Sequence, residues 1–188
     1  MSDETVLPFP GASGVPPKLV AAVEALLFAA GAPLRLDALA SLLPDAHPDD
    51  IRAALGVLGA RCGQEDRGIV LTEVAGGWQL RTDARFASEV AQLLRAKPVK
   101  LSRAAQEVLA IVAYEQPVTK QDVDHVRGVD SGATVKNLLQ RGLIRVSGRR
   151  EIPGRPLEYR TTRAFLQLLS LSELSDLPTL EEASQLDE

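Results

Sequence analysis

The 188-residue sequence is poor in the residue types that build disulfides, metal sites and aromatic platforms. It has one cysteine, Cys62, and two histidines, His47 and His125. A single cysteine excludes an internal disulfide and fits a reducing compartment such as the cytoplasm. A structural zinc site needs about four ligands, which one cysteine and two separated histidines do not supply. Aromatic residues make up 4% of the chain, too few for a surface that stacks nucleobases.

Signals of enzymes and of membrane proteins are also missing. Cys62 ends a helical pattern and each histidine stands alone, so no Cys–His catalytic pair is expected. The phosphate-binding pattern GxxxxGK followed by Ser or Thr does not occur. There is no run of about 18 apolar residues, and residues 1–17 do not resemble a signal peptide. We therefore expect a protein that is not an enzyme, holds no metal or cofactor and does not cross a membrane.

Charge is divided unevenly along the chain. Residues 1–94 carry 7 basic and 12 acidic residues (−5), and residues 95–163 carry 14 and 7 (+7). Residues 164–188 carry no basic and 6 acidic residues (−6). Two interpretations fit the basic middle segment. It is a solvated surface that also binds the acidic end of the chain, or it is a docking face for an acidic partner or for DNA phosphate.

Residues 101–165 follow the element order of a winged helix, which is three helices and then a β-hairpin. A regular apolar stripe predicts the first helix, with Ser102 as its N-cap. Thr119 and Asp122 predict a capping box for the second helix, in which we expect Val126 to face the core. A third apolar pattern follows, and short strands are predicted at residues 143–146 and 157–161, around a loop rich in Gly, Pro and Arg.

The first half of the chain repeats this order. Helical patterns cover residues 18–30 and 36–43 and begin again at residue 48 or 49, and Gly76-Gly77 predicts the turn of a hairpin. A closing helix is capped by Asp83. Its predicted inward residues are Phe86, Val90, Leu93 and Leu94.

The repeat predicts an α+β, helix-rich fold of two tandem winged-helix domains with small β-hairpin wings. We expect a disordered leader over residues 1–17, one domain over residues 18–95 and a linker over residues 96–100. The second domain is predicted over residues 101–171, and an acidic, disordered tail over residues 172–188.

Several short blocks of the second half follow one another along the chain: residues 107–114, 116–119, 127–129, 141–144, 148–149, 153–156 and 159–162. In order and spacing these blocks resemble the C-terminal winged-helix domain of ScpB, the segregation and condensation protein B family. The first half is similar to the same family at residues 24–28 and 74–80, with Trp78 where the family more often has Tyr.

The resemblance implies a homodimer, formed through the N-terminal winged helices, that binds the middle segment of a kleisin subunit. The kleisin bridges the heads of an SMC ATPase, so the protein would support chromosome condensation and segregation in the cytoplasm, at the nucleoid. Candidate kleisin-binding residues in the second domain are Tyr114, Gln116, Pro117, Arg127, Arg155 and Tyr159. The two tyrosines fit capped core aromatics equally well, and Arg155 also fits a bridge from the wing to the body of the domain.

For the dimer, the first and third helices offer apolar and glycine positions that also fit an ordinary core. These candidates are Leu19, Val20, Leu27, Gly56 and Gly59.

Direct DNA binding is the alternative function. In a winged helix the third helix can enter the major groove while the wing contacts the phosphate backbone. Basic residues suited to such contacts lie on the third helix and the wing: Lys136, Arg141, Arg145, Arg149 and Arg150.

Overall fold

The computed structural model describes residues 14–94, 101–179 and 182. The chain divides into two units, residues 1–96 and residues 97–188. In each unit three helices are followed by an antiparallel hairpin and a further helix, which confirms the predicted winged-helix fold. The predicted linker, residues 1–13 of the leader, and residues 180, 181 and 183–188 of the tail lie outside the described residues.

The described part of the N-terminal unit has four α-helices and a two-stranded antiparallel sheet. Its elements are α1 (Pro17–Ala30), α2 (Leu36–Leu42), α3 (Pro48–Cys62), β1 (Ile69–Val74), β2 (Gly77–Thr82) and, after a 3₁₀ turn at Ala84–Phe86, α4 (Ala87–Leu94). The buried core comes from the first three helices: Val20, Val23, Leu27, Leu39, Ile51, Ala54, Leu55 and Leu58.

Local chemistry sets the helix ends of this unit. Pro17 and Pro48 lie in the first turns of α1 and α3, where a missing N–H breaks no helical hydrogen bond. Gly31 ends α1 with a left-handed φ of 59°. The Nδ1 atom of His47 accepts a hydrogen bond from the Asp49 N–H at 3.3 Å, a cap that the sequence pattern did not predict.

The turn of the first hairpin lies one residue earlier than predicted. Ala75 and Gly76 are the turn residues, with φ values of 54° and 69°, as a two-residue type I′ turn requires. Gly77 instead begins β2, and a Cβ atom there would lie 2.8 Å from the backbone carbonyl of Leu34. This close approach arises because Leu34 and Trp78 exchange backbone hydrogen bonds of 2.9 and 2.8 Å.

The prediction that the closing helix buries its apolar face is wrong. Phe86, Leu93 and Leu94 are exposed, and Val90 is half-buried. The amphipathic period is present, but α4 makes its main contacts with the 3₁₀ turn that precedes it. Its apolar residues are therefore not covered by the described part of this unit.

The C-terminal unit has the same order of elements and one additional short strand. These are α5 (Arg103–Glu115), β3 (Val118–Thr119), α6 (Lys120–Arg127), α7 (Gly132–Gln140), β4 (Ile144–Arg149), β5 (Leu157–Thr161) and α8 (Arg163–Leu169). The strands form an antiparallel sheet in the order β3-β5-β4, in which Val118 pairs with Tyr159. This pairing corresponds to that of Leu34 with Trp78 in the first unit.

The predicted caps of the C-terminal unit are confirmed. Ser102 Oγ accepts a hydrogen bond from the Ala105 N–H at 3.2 Å. Thr119 and Asp122 form a complete capping box, in which each side chain accepts a hydrogen bond from the other's N–H. Gly128 ends α6 with a φ of 71°. These caps fix where α5 and α6 begin and where α6 ends.

The core of this unit lies between α5, α6, α7, the sheet and α8. Its largest buried side chains include Val108, Leu109, Val112, Val123, Leu138, Ile144 and Phe165.

Val126, predicted to face the core, is 63% exposed. Val126 follows Val123 by three residues, so the two side chains differ by roughly 60° around the axis of α6. Val123 faces the core, and Val126 lies at the edge of the same apolar stripe. The prediction for Val126 is corrected accordingly.

Two short segments predicted to be disordered are folded. In the predicted leader, Val15 packs against the N-terminal core and Pro17 begins α1. In the predicted tail, residues 174–176 form a 3₁₀ turn, and Leu177 packs against the C-terminal core. Single apolar residues in these segments pack against the core of a domain. The average composition of a segment does not predict such a contact.

Replacing Leu109 by Ala should lower the free energy of unfolding of the C-terminal unit by about 2–5 kcal/mol. Leu109 is 4% exposed, so the shortened side chain would leave a cavity. Urea unfolding followed by circular dichroism measures the change. Leu168→Ala is the control, because Leu168 is 49% exposed in the same unit. Equal losses for the two variants would contradict the assigned core.

Candidate functional site

The corner at the end of α5 combines structural and exposed residues. The Oε1 atom of Gln116 accepts hydrogen bonds from the Thr161 N–H at 2.9 Å and the Thr161 hydroxyl at 3.1 Å. The Nε2 atom of Gln116 donates to the Ala113 carbonyl at 3.2 Å. Tyr114 is 38% exposed, and its hydroxyl donates to the Pro178 carbonyl at 2.6 Å. Gln116 therefore joins α5 to β5, whereas Tyr114 leaves part of its ring exposed.

Arg127, predicted to bind a partner, holds three helices together. Its Nη2 atom donates to Glu107 Oε2 on α5 at 3.1 Å, and its Nη1 atom donates to the Ser131 hydroxyl at the start of α7 at 3.0 Å. Only 12% of its side chain is exposed. These contacts assign Arg127 a structural role inside the unit.

Two further candidates differ sharply in accessibility. Tyr159 is 8% exposed and belongs to the core, so its assignment to a partner surface is corrected. Arg155 lies in the loop between β4 and β5, with a left-handed φ of 40°, and forms an exposed ion pair with Glu151 at 2.8 Å. Of these two residues, Arg155 alone offers its side chain to another molecule.

A groove of about 340 Å³ lies between α5 and α6, and we call it the α5–α6 groove. Among the six residues predicted to bind a kleisin, Pro117 alone lines it. The other lining residues are Ile111, Glu115, Val118, Asp122, His125, Val126 and Arg150. Sequence reasoning placed Val126 in the core and missed this groove. The available signal was that Val126 lies at the margin of its apolar stripe.

Arg150, a predicted DNA contact, is occupied within its own unit. Its Nη1 atom lies 2.9 Å from Asp122 Oδ2, its Nε atom donates to Glu158 Oε1 at 3.0 Å, and Nη2 donates to the Pro117 carbonyl at 3.0 Å. The bond to Glu158, followed by the charge of Asp122, raises the pKa of the Arg150 guanidinium above its ordinary value. Its assignment to DNA is corrected because each of its three guanidinium nitrogens already contacts an acceptor within the unit.

The other predicted DNA contacts are exposed. Lys136 and Arg141 lie on and just after α7, and Arg145 and Arg149 lie on β4. Arg149 Nη1 donates to the Arg155 carbonyl at 3.0 Å. Within the described residues, no carboxylate comes within ion-pair distance of these four side chains.

The predicted dimer residues lie mostly inside the N-terminal unit. Val20 and Leu27 are each 1% exposed, and Gly56 is buried. Leu19 is half-buried, and Gly59 packs against β1. The assignment of Val20, Leu27 and Gly56 to a dimer interface is corrected, because these residues leave almost no surface for a second chain.

A second apolar stripe on α1 is exposed instead. Helix α1 has only two charged residues, Lys18 and Glu24, among its 14. An apolar helix with charge on so little of its surface is normally covered on more than one side. Its outer stripe borders a groove of about 630 Å³, which we call the α1–α3 groove, and Phe28 on this stripe is 76% exposed. Lining residues include Ala21, Glu24, Ala25, Phe28, Arg61, Cys62 and Ile69.

The described residues do not form a metal site. No group of three or more His, Cys, Asp or Glu side chains in residues 14–94, 101–179 and 182 is placed to hold an ion. Burial, followed by the charge of Glu24, raises the pKa of the Cys62 thiol above its ordinary value of 9.0. A protonated thiol is a weak nucleophile at neutral pH.

None of the helices in the described ranges combines the length and hydropathy needed to cross a membrane.

The fold and the two grooves define a tandem winged-helix protein with surfaces suited to other polypeptides. Residues 21–180 match the model of the family described as segregation and condensation complex subunit ScpB. The segregation and condensation protein B of Syntrophotalea carbinolica is 50% identical over 169 residues, which cover 90% of this chain and 85% of that protein. The protein belongs to the ScpB family.

Two solved structures also match the chain. ScpB from Mycobacterium tuberculosis is 39% identical, with 80% of this chain and 94% of that chain covered, at a TM-score of 0.38. A dimer of the ScpB N-terminal domain complexed with ScpA peptide is 36% identical, with 40% and 94% covered, also at a TM-score of 0.38. Because both TM-scores are low, the family assignment rests on the sequence matches.

Arg127→Ala should destabilise the C-terminal unit by about 1.5–3 kcal/mol, the range for hydrogen bonds to charged groups. Arg155→Ala should cost about 1 kcal/mol or less, because exposed ion pairs contribute little. Urea unfolding of both variants measures the difference. If the two losses are equal, Arg127 does not hold the helices together and becomes available again as a partner contact.

Proposed function

We propose that this protein is a non-catalytic subunit of an SMC–kleisin complex. As a homodimer it binds the middle segment of an ScpA-like kleisin and, through it, an SMC ATPase. It would thereby support chromosome condensation and segregation during cell division, in the cytoplasm and at the nucleoid. The observation that carries this proposal is membership of the ScpB family across residues 21–180.

The chemistry of the described side chains supports a binding role rather than a catalytic one. Cys62, His47 and His125 are far apart in sequence, and His47 is engaged as a helix cap. Several charged side chains of the C-terminal unit form ion pairs that join its elements, such as Arg127 with Glu107 and Arg150 with Glu158. Such pairs stabilise a surface shape without performing a reaction.

For the kleisin we propose the α5–α6 groove, with Tyr114 nearby on the last turn of α5. Ile111, Pro117 and Val126 supply apolar surface, and Glu115 and His125 supply a polar rim. An amphipathic helix placed in such a groove buries its apolar face and leaves its polar face in water. The α5–α6 groove thus replaces the buried Tyr159 and the structural Arg127 as the centre of the predicted site.

Val126→Glu should weaken the affinity for the purified kleisin middle segment about tenfold or more, because a charge would enter an apolar contact. The control is Val129→Glu. Val129 is also an exposed valine but does not line the α5–α6 groove. Isothermal titration calorimetry compares both variants with the unmodified protein. Unchanged affinity for Val126→Glu would move the kleisin contact to another surface.

For the homodimer we propose the α1–α3 groove. The exposed Phe28 and Ile69 provide apolar surface, and Glu24 and Arg61 provide opposite charges on the same groove. In a two-fold dimer each chain offers the same patch to the other, so a patch that carries both signs can be self-complementary. An apolar α1 with charge at two positions fits a helix covered on both sides.

Phe28→Asp should convert the dimer to a monomer in size-exclusion chromatography with light scattering. A carboxylate in the centre of an apolar contact would lose its hydration without gaining a partner. Leu42→Asp is the matched control, since Leu42 is 55% exposed but lines a different groove, between α1 and α2. Dissociation by Leu42→Asp, with Phe28→Asp still dimeric, would assign the interface to that second groove.

A further inference from the structure

We propose that four arginines at the base of the C-terminal hairpin, Arg141, Arg145, Arg160 and Arg163, bind the phosphodiester backbone of duplex DNA. We call them the hairpin-base arginines. This site extends the proposed function, on which it rests, from holding a kleisin to direct contact with the chromosome.

The sheet register brings two of these residues face to face. Arg145 on β4 lies directly opposite Arg160 on β5. Residues directly opposite in an antiparallel pair project from the same face of the sheet, with Cβ atoms about 5 Å apart. Both side chains are exposed. Like charges on directly opposite residues are unfavourable, and an anion bound to both would offset their repulsion.

The other two arginines are held next to this pair by backbone contacts. Arg141 immediately precedes Gly142, whose carbonyl accepts a hydrogen bond from the Thr162 hydroxyl at 2.6 Å. The Thr162 N–H donates to the Leu143 carbonyl at 3.1 Å, and Arg163 follows as the first residue of α8. The end of α7, the base of the hairpin and the start of α8 therefore bring the backbones of the four arginines to one region of the unit.

The described part of the unit provides no counter-charge for this region. Six of its carboxylates are paired elsewhere: Glu107 with Arg103 and Arg127, Asp122 and Glu158 with Arg150, Asp124 and Asp130 with Lys120, and Glu151 with Arg155. The other described carboxylates of the unit, Glu115, Glu173, Asp176 and Glu182, form no ion pair with these arginines. Within the described residues, no ion pair involves any of the hairpin-base arginines. The anion that fits them must come from a segment beyond the described ranges or from another molecule.

The chemistry of the group favours phosphate. All four residues are arginines, whose planar fork of donors matches two oxygens of one phosphate. Phosphate contacts hold a protein on DNA without reading its sequence. The inferred site also differs from the DNA contacts predicted from the sequence on the third helix and the wing. Arg150, one of those predicted contacts, is bound to carboxylates. The site we infer contacts the backbone and is indifferent to base sequence.

The test is fluorescence anisotropy of the full chain with two labelled duplexes of unrelated sequence, each of about 30 base pairs, from about 50 to about 200 mM salt. We expect equal affinity for both duplexes and a steep fall with salt. The double variant Arg145→Gln with Arg160→Gln should bind about tenfold or more weakly, with a salt slope smaller by about 2, since each lost phosphate contact removes about 0.9.

The matched control is Arg103→Gln with Arg155→Gln, which removes the same charge from exposed arginines that already have carboxylate partners. Its affinity for DNA should stay close to that of the unmodified protein. Equal losses for the two double variants would overturn the site in favour of net charge alone. No binding by the unmodified protein at the lowest salt would overturn it as well.

Two further measurements distinguish DNA binding from the proposed kleisin binding and from binding of an acidic polypeptide. Kleisin affinity is measured by calorimetry on the same double variants. Intact kleisin binding without any DNA binding overturns only the phosphate site, whereas intact DNA binding without kleisin binding overturns only the proposed function.

A polyglutamate peptide is titrated as a competitor. If it binds through Arg145 and Arg160 while duplex DNA does not bind, the site is one for acidic polypeptide, and the DNA proposal fails.

Discussion

Each winged helix is closed by one short pairing between the segment after its first helix and the returning strand of its hairpin. Leu34 pairs with Trp78 in the N-terminal unit, and Val118 pairs with Tyr159 in the C-terminal unit. A two-stranded hairpin alone is marginally stable in water, so this third strand connects it to the helical core. The side chains around the junction depend on the connection. Gly77 makes room for it in the first unit, and Arg150 reinforces it in the second by donating to the Pro117 carbonyl.

The C-terminal unit divides its positive charge between two sets of arginines. Arg150, which donates to Pro117 at the junction, and Arg127, at the end of α6, also donate to carboxylates and to the Ser131 hydroxyl. The residue pair next to Tyr159 in the hairpin, Arg145 against Arg160, has no such neighbour among the described residues. The basic segment identified in the sequence therefore contains two groups of arginines with different physical roles. One holds the fold together, and the other faces outward.

The sequence predicted the features that depend on local chemistry. Ser102 and the Thr119–Asp122 capping box were identified correctly because caps need particular residue types at fixed spacing. Helical periodicity also located the elements. It did not decide which of two apolar stripes on α1 faces the core, and it placed Leu93 of α4 inside, where the structure has it exposed. Those choices depend on contacts between elements distant in sequence, as does the selection of Arg150 and not Arg145 for internal ion pairs.

Cys62, the one cysteine of the chain, lines the α1–α3 groove beside Glu24. Its half-buried position and raised pKa keep the thiol protonated and slow to react, yet the open groove leaves it reachable by small reagents. A second chain seated in the groove would close that route. In such a dimer the alkylation rate of this natural thiol would report how often the two chains separate at the groove, and no added label would be needed.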